Sequence, residues 1–228
     1  VPEICEKLSK SGATFHIQSN AGKKAGYLDD SFKSDFTSLY NTSEEFLSNC
    51  NVLLKVNAPT LAEIELLKEE TVVVSFMDPF NNQALIKTMA EKKLQAFSME
   101  LIPRISRAQS MDALSSQASI AGYKSVLLAA NKMNKFFPML TTAAGTVRPA
   151  QTLIMGAGVA GLQAIATAKR LGSRVLAFDV RANSKEQIES LGAQFVDTGV
   201  SAEGEGGYAR ELNQEELDQQ KEILSKTL

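Results

Sequence analysis

The 228 residues carry 24 basic and 26 acidic side chains, and the resulting charge of −2 offers no basic face to nucleic acid. A hydrophobic share of 44% with 22% charged residues is ordinary for a soluble globular chain of one large or two small domains. No apolar run approaches the roughly 20 residues of a membrane span, and the opening VPEICEKLSK lacks the apolar core of a signal peptide. One histidine leaves no metal-ligand set, and Cys5 and Cys50 are expected as buried thiols in a reducing compartment, with a disulfide left open.

Residues 2–10 read as a short helix stopped by Gly12, and residues 13–17 as a strand that carries His16. Far in sequence from any polar loop, His16 is expected to be a half-buried strand residue, a general base being the alternative. A glycine-containing turn over 20–26 and a poorly patterned connection over 29–39 lead to Thr42-x-x-Glu45, the pattern of a capping box. Residues 51–56 form an apolar strand ending in Lys55-Val-Asn-Ala-Pro59, and Thr60-x-x-Glu63 caps the next helix. The run TVVVSF at 71–76 is of the kind buried on both faces. A helix over 82–92 and a strand over 94–99 continue an alternation that predicts a parallel α/β domain.

Residues 100–117, ELIPRISRAQSMDALSSQ, break the apolar pattern just before a long helix. Spacing alone permits either a binding loop or a solvated loop in which Ser110 caps that helix. Ile120, Tyr123, Leu127 and Ala130 fall at 3–4–3 spacing, one apolar stripe on a helix ending near Phe137-Pro138. Residues 141–149, with Gly145 and Pro149, read as the hinge between two α/β domains.

The densest signal lies at 151–181, QTLIMGAGVAGLQAIATAKRLGSRVLAFDVR. An apolar run precedes Gly156-Ala157-Gly158-Val159-Ala-Gly161, an amphipathic helix follows, Gly172 caps it, and a second apolar run ends in Asp179. Gly156 permits a tight turn, Gly158 a close approach of a pyrophosphate, and Gly161 the packing of helix on strand. The pyrophosphate would sit at the helix N-terminus. Asp179 stands about 20 residues on, where a carboxylate bonds the adenosine ribose and repels a 2′-phosphate. NAD is therefore favoured over NADP, although Arg181 is of the type that serves a 2′-phosphate.

Beyond Asp179, Ser184-x-x-Gln187 is expected to cap a helix closed by Gly192, and residues 194–197 supply a third strand. The Gly-rich stretch TGVSAEGEGGYAR at 198–210 has the composition of a mobile lid or of a surface linker. Asn213 caps a final helix with Leu217, Lys221 and Leu224 on one face. The chain opens inside a helix-like segment and stops at a helix end, so it reads as truncated at both ends, with about half of the nucleotide sheet present.

RISRAQSMDALSSQASIAGYKSVLLAA, TAAGTVRPAQTLIMGAGVAGLQAIATAKRLG and AFDVR together closely resemble the NAD(H)-binding first domain, or alpha subunit, of proton-translocating NAD(P) transhydrogenase. The likeness continues through Lys55-Val-Asn-Ala-Pro59, Glu186-Gln-x-Glu-Ser-Leu-Gly192 and Gly206-Gly207-Tyr208-Ala209, nearly the whole chain. The resemblance implies two Rossmann-like α/β domains with parallel sheets separated by a cleft: a flavodoxin-like domain at 1–115 and an incomplete NAD-binding domain at 116–228. It implies that Arg104, Gln109, Asp112 and Ser115 position the nicotinamide ring, its carboxamide and the adjacent ribose, within a loop that includes Ile105, Ser106 and Arg107. Residues Gly156 to Gly161 would hold the pyrophosphate, Asp179, Val180 and Arg181 the adenosine ribose, and Gly207 and Tyr208 a loop that closes on the nucleotide.

Direct hydride transfer from NADH to NADP⁺, held on a partner domain that binds NADP(H), is the implied activity. It is of the proton-translocating rather than the Si-specific type, with a membrane proton-channel domain as the coupling element. A homodimer is implied, peripheral to a bacterial inner membrane on its cytoplasmic face or to a mitochondrial-type membrane, with no insertion by this chain. Such transfer needs no general acid, base or nucleophile, in keeping with the scarcity of His and Cys. Alanine dehydrogenase is the rival from the same superfamily. Lys55 could supply that family's substrate-binding lysine, but Met77-Asp78-Pro79 stands where its catalytic histidine would lie. A nucleotide-binding sensor without turnover is a third reading.

Overall fold

Runs of β-branched and leucine residues build the first sheet. The computed structural model describes residues 1–181, 183–202 and 210–227, and the chain divides into two units, Val1–Asp112 and Ala113–Leu228. In the first unit, strand β3 (Val52–Leu54), strand β4 (Val72–Ser75) and strand β5 (Gln95–Ser98) pair in parallel, with Val73 between Leu53 and Ala96. Helix α3 (Leu61–Leu66) joins β3 to β4, and helix α4 (Gln83–Glu91) joins β4 to β5. Alternation decides the burial: Val73 and Ser75 are buried with Leu53, Ile64, Leu67, Leu85 and Met89, whereas Val72 and Val74 are half-buried. The expectation that TVVVSF is buried on both faces therefore holds for one face, since Leu54 and Phe97 beside Val74 are exposed.

Helix α1 (Pro2–Ser9) precedes strand β1 (Phe15–Gln18), which pairs in parallel with strand β2 (Thr37–Tyr40). The connection expected over 29–39 thus contains a 3₁₀ turn at Asp29–Phe32 and most of a strand. His16 lies in β1 and is more exposed than expected, its Nδ1 2.9 Å from the Tyr40 hydroxyl and its ring stacked on Phe46. Helix α2 (Glu44–Leu47) forms half of its predicted box: Thr42 N–H donates to Glu45, but no side chain caps the helix. Thr60 and Glu63 form a complete box at α3. Cys5 and Cys50 are free thiols, the first buried and the second half-buried.

The second unit opens with helix α5 (Ala113–Lys132). It starts three residues after Ser110, which lies in a 3₁₀ turn and does not cap it. The helix also ends short of Phe137. Ile120 and Tyr123 are exposed, and the buried face is Gly122 and Val126 with Ala130 packed behind them. Contact here is set by the smallest residue: a Cβ on Gly122 would lie 2.0 Å from the Ala160 carbonyl oxygen. Strand β6 (Leu140–Thr142) and strand β7 (Gly145–Val147) pair as an exposed antiparallel hairpin. The expected hinge over 141–149 is thus within the second unit, and the division falls at Asp112 and Ala113.

Strand β8 (Gln151–Met155), strand β9 (Arg174–Phe178) and strand β10 (Gln194–Phe195) form a parallel sheet in the order β10-β9-β8. Helix α6 (Val159–Arg170) links β8 to β9 and buries Ala164, Ile165 and Ala168. Helix α7 (Ser184–Ser190) links β9 to β10, with Ser184 inside its first turn rather than capping it. In helix α8 (Gln214–Thr227), Leu224 is buried and Ile223 packs with it, whereas Leu217 and Lys221 are exposed. Asn213 and Glu216 cap α8 reciprocally, each accepting the other's main-chain N–H, at 2.9 and 3.0 Å. Among the described residues no helix is long and apolar enough to cross a membrane.

Candidate functional site

The residues predicted for the pyrophosphate and the adenosine ribose converge where β8 ends. Gly156 has φ +91°, the left-handed region that glycine enters without strain, and its N–H donates to Phe178 O at 2.7 Å. Gly158 is the N-cap of α6, and the helical ladder begins with Leu162 N–H donating to Gly158 O. The main-chain N–H groups ahead of Leu162 therefore lie outside that ladder, at the positive end of the helix dipole. A Cβ on Gly161 would lie 1.8 Å from the Gly156 carbonyl oxygen, so only glycine lets α6 approach the turn. A Cβ on Gly158 would meet nothing within 4 Å. Close packing behind the turn and open space in front of it fit the pyrophosphate of a dinucleotide.

Asp179 follows β9 directly and is 7% exposed. Its Oδ2 accepts the Ala157 N–H at 2.7 Å and Arg181 Nη2 at 2.9 Å. Its Oδ1 accepts the Arg181 main-chain N–H at 2.8 Å and Nε at 2.9 Å. Burial pushes the carboxyl up, but the hydrogen bonds and charge of Arg181 and the Ala157 N–H outweigh it and hold it at about 2. The group is a carboxylate throughout the physiological range. Ala157, placed among the pyrophosphate residues by its position in the motif, is 1% exposed with its N–H committed to Asp179. Val159 is exposed and Val180 half-buried beside them. Arg181 is turned onto Asp179, which occupies the guanidinium that a 2′-phosphate would need.

The loop residues Arg104 to Asp112 lie at the end of the first unit, and Ser115 lies just beyond it. Ile105 is the N-cap of a 3₁₀ turn at Ser106–Met111, anchored by the buried Ala108. Arg104, Ile105, Ser106, Arg107 and Gln109 are exposed around that anchor, while Asp112 and, in the first turn of α5, Ser115 are half-buried. Gly207 and Tyr208, expected in a closing loop, lie outside the described residues.

Two features of the first unit escape a local reading of the sequence. Lys55 Nζ lies 2.7 Å from both carboxylate oxygens of Glu63, the residue that also completes the α3 capping box. Burial raises the Glu63 carboxyl, but its bonds from Lys55 and Thr60 dominate and leave it lowered. Glu100 accepts main-chain N–H groups from Met77, at 2.9 Å, and Asp78 on one oxygen, and the Ser98 hydroxyl at 2.6 Å on the other. Burial raises its carboxyl too, and these bonds again prevail and lower it. Both networks join residues too far apart in sequence for a local motif to reveal.

Fold and glycine turn together define a two-unit α/β protein whose second unit has the layout of a dinucleotide-binding domain. Residues 1–121 match the family described as Alanine dehydrogenase/PNT, N-terminal domain, and residues 125–227 match Alanine dehydrogenase/PNT, C-terminal domain. The chain is 43% identical over 236 residues to the first portion of the NAD(P) transhydrogenase alpha subunit of Rhodospirillum rubrum, covering 100% of this chain and 62% of that protein. It therefore spans less than two thirds of the length of that relative. It superposes on the transhydrogenase from Sinorhizobium meliloti with a TM-score of 0.83 and 40% identity, covering 96% of this chain and 70% of that one. Alanine dehydrogenase of Methanococcus maripaludis is 24% identical over 203 residues, 88% of this chain and 54% of that one. The chain belongs to the alanine dehydrogenase/transhydrogenase family.

Proposed function

We propose that this chain is the NAD(H)-holding component of a proton-translocating NAD(P) transhydrogenase. The observation that carries this reading is the glycine turn of Gly156, Gly158 and Gly161 with the ionised Asp179 beside it. NADH bound there would supply a hydride for NADP⁺ on a separate domain. The N–H groups at the start of α6 would hold the pyrophosphate, and Asp179, Val180 and Arg181 would face the adenosine ribose, with Asp179 repelling a 2′-phosphate. Arg104, Gln109, Asp112 and Ser115 would orient the nicotinamide end, and the stretch with Gly207 and Tyr208 would exclude water. Catalysis of this kind is placement of two reacting carbons, not proton transfer by a side chain.

The wider assembly belongs to the same proposal: a homodimer of this component, an NADP(H)-binding domain, and a membrane domain that couples the redox step to proton movement. The chain would work at the face of that membrane without entering it. Alanine dehydrogenase is the second reading. Against it, the Lys55 ammonium is neutralised by Glu63, and Met77 and Asp78 offer Glu100 two N–H groups where that enzyme would need a histidine. The test is to titrate the full-length protein with NADH and NADPH and then add a family NADP-binding domain. NADH-selective binding with hydride exchange on mixing supports transhydrogenase. Consumption of pyruvate and ammonia without exchange transfers the answer to alanine dehydrogenase, and binding with neither activity leaves a sensor.

A further inference from the structure

The loop implicated in nicotinamide placement begins within a few residues of Glu100, a carboxylate that bonds away from it. Asp78 has φ +46°, and with Met77 it turns two successive main-chain N–H groups toward one Glu100 oxygen. The second oxygen takes the hydroxyl of Ser98, the last residue of β5. One side chain therefore ties the end of β4 to the end of β5 and fixes where the chain leaves the sheet. From there a short 3₁₀ turn at Met99–Leu101 passes to Pro103, Arg104 and the turn of Ser106–Met111. Pro103 restricts its own φ and the conformation of Ile102, so the segment between anchor and loop has little freedom to absorb a shift.

We infer that Glu100 is a positioning residue for hydride transfer: it acts through the strand-end staple to hold the Arg104–Gln109 loop in register. The role rests on the nucleotide reading above. It needs no contact between Glu100 and either nucleotide. The acceptor geometry matters and the negative charge does not, because a glutamine can still receive both N–H groups on its carbonyl oxygen. The Ser98 hydroxyl would then reverse and accept from the amide.

The test uses the full-length protein with a family NADP-binding domain and compares wild type, E100A and E100Q. E100A should slow hydride exchange by about 10- to 100-fold with little change in the NADH dissociation constant, the loss expected from misplacing reacting groups by about an ångström. E100Q should recover most of that rate. Trypsin cleavage after Arg104 and Arg107 should accelerate in E100A and return toward wild type in E100Q. An E100A protein that exchanges hydride at the wild-type rate overturns the proposal. So does one whose NADH affinity and melting temperature fall together while its turnover at saturation is normal, because Glu100 would then be structural only. Wild-type protein that exchanges no hydride removes the nucleotide reading itself, and the proposal with it.

Discussion

The Ala157 N–H donates to Asp179 Oδ2 at 2.7 Å, binding the glycine turn to the end of the next strand. Asp179 thus supports the turn's shape in addition to the ribose role proposed for it. Replacing it with asparagine removes the charge that repels a 2′-phosphate and weakens the hold on Arg181. Asp179→Asn is expected to weaken NADH binding and narrow the preference over NADPH, measured by fluorescence titration of each nucleotide. An unchanged NADH/NADPH ratio would remove the ribose role.

The same carboxylate links stability to acid. Its pKa falls from 3.8 to about 2 on folding, so its contribution is complete above pH 3.8 and disappears as pH falls toward 2. The contribution is about 2 kcal/mol at neutral pH. Urea unfolding at pH 7 should show a loss of that order in Asp179→Asn, together with a shallower decline in stability between pH 4 and 2. Equal acid sensitivity in variant and wild type would place the linkage elsewhere.

Two glycines of one turn should separate folding from binding. A methyl at Gly161 collides with Gly156 at 1.8 Å, so Gly161→Ala forces α6 off the sheet and should cost at least about 2 kcal/mol. A methyl at Gly158 meets no protein atom, so Gly158→Ala should cost no more than about 1 kcal/mol, that of a poorer N-cap. It should nevertheless weaken NADH binding by filling the pyrophosphate's approach. Thermal melts with and without NADH distinguish the two effects, and full NADH affinity in Gly158→Ala would contradict the placement.

Gln109 is exposed on the turn anchored by Ala108. Shortening it by one methylene in Gln109→Asn should preserve NADH affinity and slow hydride exchange by about tenfold or more, because the role proposed for the loop is orientation. Single-turnover exchange in the assembled complex reads this directly. A normal rate would take Gln109 out of the mechanism.

The Lys55–Glu63 pair predicts an inactive alanine dehydrogenase. Thr60→Ala should cost about 1 kcal/mol by removing half of the capping box, and neither the wild type nor this variant should oxidise alanine. Because Glu63 is lowered from 4.5, the stability it lends is present above that pH and is lost on further acidification. Alanine-dependent NADH formation by the wild type would overturn the inference drawn from the pair.

Legibility in the sequence follows the reach of each interaction. The turn, helix and acid of the nucleotide sheet lie within one βαβ unit, and their spacing reports their geometry. Strand β2 is hidden because Thr37–Tyr40 is short and gains its identity from pairing with β1. The apolar stripe on α5 misleads for the opposite reason. Ile120 and Tyr123 are large and conspicuous, whereas the contact face is built on Gly122, which has no side chain to see. Glu100 has no visible role in the sequence because its partners Met77 and Asp78 are 23 and 22 residues upstream.

Gly122 brings α5 against α6 at Ala160, and Gly161 brings α6 against the turn at Gly156, each with main chain against main chain. At both glycines the atoms that a methyl would strike are main-chain atoms, which cannot rotate away from a newcomer. Randomising both positions and selecting for folded, nucleotide-binding protein should return glycine at each. The arrangement makes α5 a splint for the nucleotide helix, and it extends the glycine signature beyond its own turn to a residue almost forty positions earlier in the chain.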